Sequence, residues 1–242
     1  MSMADKSIVT LAPMNIDDAL AALRRQASTK VRDGMARYAI PSGNALGVPV
    51  GAIRRIGKDI GVDQELSLAL WKTGIYEARF LAGFVGDPAR VTSAQMDAWC
   101  RDFDSWAMVD TSCFCLFDRT PLSWKKIGPW SRRTKEFEKR AAFALLASLA
   151  LHDKKSPDAL FRKCLPIIER GATDDRNFVK KGVVWALKLV GRRSSPLHAE
   201  AVALSKRLAA SPAASARWIG RDALKDLTSA AVQKRVKAKA SR

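Results

Sequence analysis

The chain has 242 residues, and 42 Lys and Arg against 24 Asp and Glu give it a formal net charge of +18. That length suits one domain or one continuous repeat array, and a hydrophobic share of 48% is enough for a packed core. The charge favours nucleic acid or an anionic membrane surface as partner. No stretch approaches the roughly 20 consecutive apolar residues of a membrane-spanning helix. Nucleic acid is therefore the expected partner, and no membrane contact is predicted.

The first predicted helices alternate with clear stop signals. Residues 17–25 form one helix, and Pro49 opens a second whose isoleucines at 53, 56 and 60 share a face. Residues 65–73 and 75–85 form a pair broken at Gly74. Thr92 is a predicted N-cap, with Gln95 as its capping-box partner.

The second half continues in the same way. A helix is expected to begin at Ser156-Pro157 and to end at Gly171, and another covers residues 175–190 and ends at Gly191. Pro196 and Pro212 mark two more. The basic segment 231–242 is expected to be frayed or disordered.

These signals predict an all-α protein of about a dozen helices without strands. Helix pairs recur at ~30–45 residues, as in a degenerate HEAT-like solenoid. A globular helical bundle is the alternative. The solenoid is preferred because no helix looks apolar on all sides, as the central helix of a bundle would.

Metal and nucleotide chemistry lack their usual motifs. The chain has no GxxxxGK[ST], GxGxxG, GxSxG or HxE…PCxxC pattern. Its cysteines and histidines do not have zinc-site spacing; they are Cys100, Cys113, Cys115, Cys164, His152 and His198. The first 18 residues show no secretion signal. We expect a cytoplasmic, monomeric protein with reduced thiols, no metal and no organic cofactor.

Two places combine charged residues with aromatic or small ones. In a helix, Trp106 and Asp110 lie four apart and share a face. They could equally be a core tryptophan and a solvated aspartate. Further along, Arg140 lies opposite the apolar stripe of its helix, on the side of Arg133, Ala144 and Ala147. It could equally be an ordinary surface arginine.

The helix predicted over residues 175–190 is the most informative. Its core stripe contains Val179, Val183, Ala186 and Val190. Trp185 projects away from that stripe, into the sector of the cations Lys181, Lys188 and Arg192. An aromatic ring beside cations can stack on nucleotides while the cations bind phosphates. The alternative is that Trp185 packs on a neighbouring helix.

Five segments in consistent order resemble the AlkD-like DNA glycosylases, the HEAT-like DNA alkylation-repair family. They are GMARY (34–38), LWKTGIYEARFLA (70–82), DFDSWAMVD (102–110), EKRAAFALLA (138–147) and RNFVKKGVVWAL (176–187). The resemblance implies a HEAT-like repeat superhelix of antiparallel helix pairs with a concave, basic DNA-binding face. It covers most of residues 17–227, which leaves 1–16 as an N-terminal extension and 228–242 as a basic C-terminal tail.

The resemblance also implies roles for individual residues. Asp110 matches the catalytic aspartate, and Trp106 and Trp185 match aromatics that contact the deoxyribose of the damaged nucleotide. Arg140 matches an active-site arginine, and Tyr38 matches a tyrosine near the lesion. Lys181, Lys188, Arg192 and Arg133 are the further expected DNA-binding residues, with Arg140 also expected to neutralise phosphate.

Three functions remain open at this stage. The first is excision of cationic alkylated purines, 3-methyladenine and 7-methylguanine, from duplex DNA. The second is silent binding of branched or distorted DNA, although the silent relatives lack the catalytic aspartate that Asp110 matches. The third is a protein–protein scaffold, which would rarely need so basic a surface.

Overall fold

The computed structural model describes residues 14–240, and none of these residues lies in a β-strand. They form two compact units, residues 14–34 with 42–86 and residues 35–41 with 87–240. No helix among them is long and apolar enough to cross a membrane. Most of the predicted N-terminal extension, residues 1–13, lies outside the described residues.

The first unit contains five helices: α1 (Ile16–Arg24), α2 (Thr29–Gly34), α3 (Val50–Ile60), α4 (Gln64–Lys72) and α5 (Tyr76–Val85). Asn15 and Asp63 cap α1 and α4 by accepting hydrogen bonds from backbone N–H groups. Gly74, with φ of +70°, separates α4 from α5 as predicted.

A buried carboxylate organises the loop before α3. Glu77 on α5 is almost fully buried and accepts hydrogen bonds from the N–H groups of Leu46 (2.8 Å), Gly47 (2.7 Å) and Val48 (3.2 Å). Such bonds compensate the cost of removing the charge from water. The helical pattern of α5 gave no sign of this role.

The second unit begins with a 3₁₀ turn, Met35–Tyr38, and has a second one at Phe117–Arg119. Its α-helices are α6 (Ser93–Arg101), α7 (Trp106–Cys115), α8 (Ser123–Ser131), α9 (Glu136–His152), α10 (Asp158–Arg162), α11 (Leu165–Gly171), α12 (Asn177–Gly191), α13 (Ser195–Ala209), α14 (Ala214–Leu227) and α15 (Ala230–Ala240). The Thr92 side chain caps α6 by accepting from the N–H of Gln95, which confirms that predicted helix start.

Four helices of this unit, α7, α9, α12 and α14, follow one another in a parallel row. Polar contacts join each helix to the next in matching register: Asp110 to Arg140, Glu136 to the N–H of Phe178, Lys188 to Asp222 and Arg192 to Asp226. The four helices begin at residues 106, 136, 177 and 214. These intervals fit the predicted repeat spacing of ~30–45 residues. Every predicted catalytic residue lies on this row.

The central helix α9 is buried on all sides, which differs from the sequence-based prediction. Every residue from Arg140 to Ala150 is buried, so this helix is covered on all sides. The premise that no helix would be enclosed was wrong. Small residues such as Ala141, Ala144 and Ala147 carry little hydropathy, yet they allow helices α7, α8 and α12 to pack closely around α9.

Two other predictions were wrong in detail. The helix expected from Ser156 to Gly171 is divided into α10 and α11, and Ser156 caps neither. Pro166 explains the break, because in a continuous helix its ring would clash with the carbonyl four residues earlier. The tail is helical through Ala240, with Val232 and Val236 buried, whereas we expected it to be frayed.

A close approach of α14 to α13 leads to a stability prediction. A Cβ atom at Gly220 would lie 2.2 Å from the backbone nitrogen of Ala209 and 2.6 Å from the carbonyl oxygen of Ser205. We expect Gly220→Ala to lower the free energy of unfolding by about 1–3 kcal/mol or more, because the helices must separate. Urea denaturation measures this. The matched control is Gly51→Ala, whose Cβ would make only an ordinary van der Waals contact, 4.0 Å from Arg55 Nη1; a similar loss there would contradict the explanation.

Candidate active site

A cleft of about 460 Å³ lies in the second unit, beside the N-terminal halves of α7, α9 and α12. It is lined by Ala36, Arg37, Tyr38, Ala39, Trp106, Arg140, Asn177, Phe178 and Lys181. Four of the predicted site residues, Tyr38, Trp106, Arg140 and Lys181, are therefore brought together here. Asn177 and Phe178 were not predicted, although Phe178 precedes Lys181 by three residues and so shares its helix face.

One wall of the cleft is fixed by a hydrogen bond between distant parts of the sequence. The indole Nε1 of Trp106 donates to the carbonyl oxygen of Tyr38 over 2.8 Å. Ala39 follows with a φ of +53°, a left-handed conformation that is unusual for a residue with a Cβ atom. Strained backbone of this kind persists where surrounding contacts hold it and is frequent at functional sites. The Tyr38 side chain is exposed.

Asp110 and Arg140 form a bidentate ion pair. Arg140 Nε donates to Asp110 Oδ1 over 3.1 Å, and Nη2 donates to Oδ2 over 2.8 Å. The arginine is only 5% exposed, so the alternative that it is an ordinary surface arginine was wrong. The Asp110 side chain keeps 20% of its surface exposed, which leaves its remaining lone pairs accessible.

The third nitrogen of the Arg140 guanidinium is also occupied. Its Nη1 donates to the carbonyl oxygen of Phe178 over 2.8 Å, so the group joins α7, α9 and the start of α12. Burial raises the pKa of Asp110, and the charge and hydrogen bonds of Arg140 oppose that rise. The guanidinium already holds a carboxylate and a carbonyl, and its expected contact with phosphate stays a prediction.

Trp185 lies outside the core stripe of α12, as predicted. The four stripe residues Val179, Val183, Ala186 and Val190 are fully buried, whereas Trp185 is half-buried. Its ring stacks on Phe114 of α7 with centroids 4.8 Å apart and planes 2° from parallel. Phe114 was missed, although it lies four residues after Asp110 and hence on the same face of α7.

The predicted phosphate ligands of α12 differ in how free their charges are. Lys181 is exposed, and its ammonium lies 5.8 Å from the Phe178 ring centroid. Lys188 and Arg192 instead form ion pairs with Asp222 and Asp226 of α14. These two aspartates were not predicted as partners, because they lie a full repeat further along the chain.

Arg133 is the predicted DNA-binding residue whose observed position differs most from the predicted one. It lies in the turn before α9 and donates to Asp97 over 2.8 Å and to Glu138 over 3.0 Å. The prediction extended the helix of Arg140 back to Arg133, but α9 begins only at Glu136. Burial alone would raise the pKa of Asp97, yet hydrogen bonds from Lys126 and Trp130 and the nearby cations hold it below its usual value. Arg133 thus stabilises an internal ion-pair cluster.

The cysteines and the acidic groups offer little other chemistry in the described part of the chain. No group of three or more His, Cys, Asp or Glu within residues 14–240 is arranged to hold a metal ion. Burial raises the pKa of the Cys100 thiol to about 12 and that of Cys164 to about 11, so both stay protonated at neutral pH.

Comparisons with known proteins agree with this architecture. The sequence model described as "DNA alkylation repair enzyme" matches residues 19–227. One solved structure superposes with a TM-score of 0.71 at 20% identity, over 80% of this chain and 83% of its own; it represents a new family related to the HEAT-like repeat DNA glycosylases with affinity for branched DNA structures. A designed armadillo repeat protein reaches a TM-score of only 0.32, at 14% identity over 82% of this chain and 100% of its own. No curated protein matches significantly. The predicted all-α, HEAT-like fold is confirmed.

Proposed function

The chain belongs to the DNA alkylation repair enzyme family, and from this we propose that it is a DNA glycosylase for cationic alkylated purines in duplex DNA. Its substrates would include 3-methyladenine and 7-methylguanine. The observation that carries the proposal is the Asp110 carboxylate, which is held by Arg140, and Arg140 lines the cleft together with Trp106. Carboxylate and indole are the groups that a developing sugar cation would need.

The chemistry requires little acid catalysis. A purine alkylated at N3 or N7 already carries a positive charge, so it leaves as a neutral base when the bond from C1′ to nitrogen breaks. Positive charge then develops on the deoxyribose, as in glycoside hydrolysis. In the proposed mechanism Asp110 stabilises that charge and orients the water whose oxygen bonds to C1′. The products are the neutral free base, an abasic site and the proton that the attacking water loses to solvent.

The aromatic residues add to this stabilisation. The face of Trp106 and the face of Trp185 that Phe114 does not cover attract a cation. The attraction grows as the sugar becomes charged in the transition state. Arg140 acts as a positioning residue, because its bidentate contact fixes the direction of the Asp110 carboxylate. Lys181 supplies an exposed cation for the DNA backbone.

The direct test is incubation of the wild-type protein with N-methylated duplex DNA. We expect release of free 7-methylguanine and 3-methyladenine together with abasic sites, and no release from the same duplex before methylation. Chromatography of the free bases and alkaline cleavage at abasic sites measure the two products. Binding to the methylated duplex without any release would contradict the proposal.

A second candidate function is binding of branched DNA without catalysis. It is favoured by the solved structure with the same fold, which has affinity for branched DNA structures. An Asp110–Arg140 pair can also serve stability alone. A four-way junction bound much more tightly than a duplex, with no base release, would select this candidate.

The two lysines Lys181 and Lys188 of α12 lead to a prediction about the binding of duplex DNA. Because Lys181 is exposed and Lys188 is paired with Asp222, we expect Lys181→Ala to weaken duplex binding more than Lys188→Ala. Lys181→Ala should also reduce the log–log salt slope by about 0.9, the share of one phosphate contact. Fluorescence anisotropy at several salt concentrations measures both effects.

The matched control for this comparison is Asp222→Asn, which releases the charge of Lys188 from its ion pair. We expect this variant to bind duplex more tightly than the wild type. Equal effects of Lys181→Ala and Lys188→Ala, with no gain from Asp222→Asn, would show that the ion pair does not limit Lys188.

A further inference from the structure

A second aromatic and basic surface lies on α14, outside the cleft. Trp218 is 41% exposed there, whereas Trp71, Trp99 and Trp130 are buried. It borders a recess of about 460 Å³ lined by Ala214, Arg217, Trp218, Arg221, Asp222 and Lys225. We call this recess and its lining residues the Trp218 surface.

Contacts with α12 hold the tryptophan in place. The ammonium of Lys180 lies 4.9 Å from the Trp218 ring centroid, a cation–π contact that fixes the ring. One turn later, Asp222 is paired with Lys188 of α12. The indole is therefore exposed but positioned, so it presents its surface without the entropy cost of ordering a free side chain.

The charges around the ring are almost all positive. Arg217, Arg221 and Lys225 line the recess with Trp218, and its one acidic residue, Asp222, is neutralised by Lys188. Arg221 and Lys225 are exposed, and neither has an ion-pair partner among residues 14–240. The surface therefore has unbalanced positive charge beside an exposed aromatic ring.

This combination fits a nucleotide better than it fits a protein partner. An anionic backbone would meet the cations, and a base would offer a flat face to the indole. A base pair within a duplex cannot offer that face, because both of its sides are covered by neighbouring pairs. We propose that the Trp218 surface binds an unpaired nucleotide of DNA, with its base stacked on Trp218 and its phosphates held by Arg221 and Lys225. This inference rests on the proposed function only in taking DNA as the ligand.

The test compares a blunt duplex with the same duplex carrying a five-nucleotide single-stranded overhang that contains 2-aminopurine. We expect the wild type to bind the overhang DNA about 10-fold more tightly, the effect of stacking one base. We also expect 2-aminopurine fluorescence to be quenched on binding. Trp218→Ala should abolish both the preference and the quenching while leaving the affinity for blunt duplex within about two-fold.

Further variants separate stacking from charge and from folding. Trp218→Phe should retain most of the preference, because phenylalanine also offers a stacking face. The double variant Arg221→Ala/Lys225→Ala should weaken binding of overhang DNA more than Lys206→Ala, a control that removes an exposed lysine from α13. Circular dichroism melts check that each variant is folded.

Three results would overturn the inference. The first is that the wild type shows no preference for the overhang DNA. The second is that Trp218→Ala loses equal affinity for the overhang DNA and for the blunt duplex. The third is that Trp218→Ala keeps the full preference. These failures leave base excision intact, since excision is measured on blunt duplex. If the wild type excises no base but still prefers the overhang DNA, the proposed glycosylase activity is rejected and the proposed role of the Trp218 surface stands.

Discussion

Replacing Asp110 by Asn is expected to slow the excision of 7-methylguanine by about 10²–10³-fold, or roughly 3–4 kcal/mol of transition-state stabilisation. The amide keeps the size of the side chain but loses the charge that would stabilise the sugar cation. Binding of the same duplex should change little, and it could tighten because a carboxylate repels phosphates. Single-turnover excision beside an equilibrium titration separates the two effects.

The control for this prediction is Asp104→Asn, which removes an exposed carboxylate just before α7. It should excise at the wild-type rate. Rates must be expressed per folded molecule, because Asp110→Asn also weakens the pair with buried Arg140. Equal rates for wild type and Asp110→Asn would remove Asp110 from the mechanism.

Local sequence signals were sufficient for many helices of the fold. Thr92 capped α6, Gly74 separated α4 from α5, and the valine stripe of α12 was buried as its spacing indicated. Each of these features depends on residues within about one to four turns of each other. Periodicity and capping act at that range, so the sequence contains them directly.

Features set by more distant residues could not be read in the same way. The helical pattern placed Arg140 opposite the apolar stripe, yet α7 and α12 cover that side and make the residue buried. Lys188 and Arg192 likewise looked free, because their partners Asp222 and Asp226 are a repeat away. In a row of parallel helices each inner helix is covered on two flanks by its neighbours, and the hydropathy of that helix alone does not report them.

The candidate site shows both cases. Trp106 and Asp110 were recognisable as neighbours, since four residues separate them on α7. The Tyr38 carbonyl that receives the Trp106 hydrogen bond is 68 positions away, and no spacing rule connects them. The resemblance to a family brought Tyr38 into the prediction, while the stacked partner Phe114 was missed altogether.

The largest effect on stability is expected for Arg140→Ala. This change leaves the Asp110 carboxylate, four-fifths buried, and the Phe178 carbonyl without their donor. Removing one partner of a buried ion pair costs about 3–5 kcal/mol, because the remaining charge keeps its desolvation penalty. Urea denaturation measures the loss. The control is Arg207→Ala on α13, which removes an exposed ion pair with Glu169 and should cost no more than about 1 kcal/mol.

A double variant separates this structural role from chemistry. Asp110→Leu/Arg140→Met replaces both charges by apolar groups, which often restores the stability that a single change removes. We expect it to unfold near the wild-type urea concentration and yet to excise methylated bases at least about 10²-fold more slowly than the wild type, because the carboxylate is gone. Arg140→Ala alone should lower both the free energy of unfolding and the excision rate. Excision should slow because the Asp110 carboxylate is no longer held in a fixed direction. Excision at the wild-type rate by the restored double variant would show that the pair serves the fold alone and that other residues of the site carry the excision.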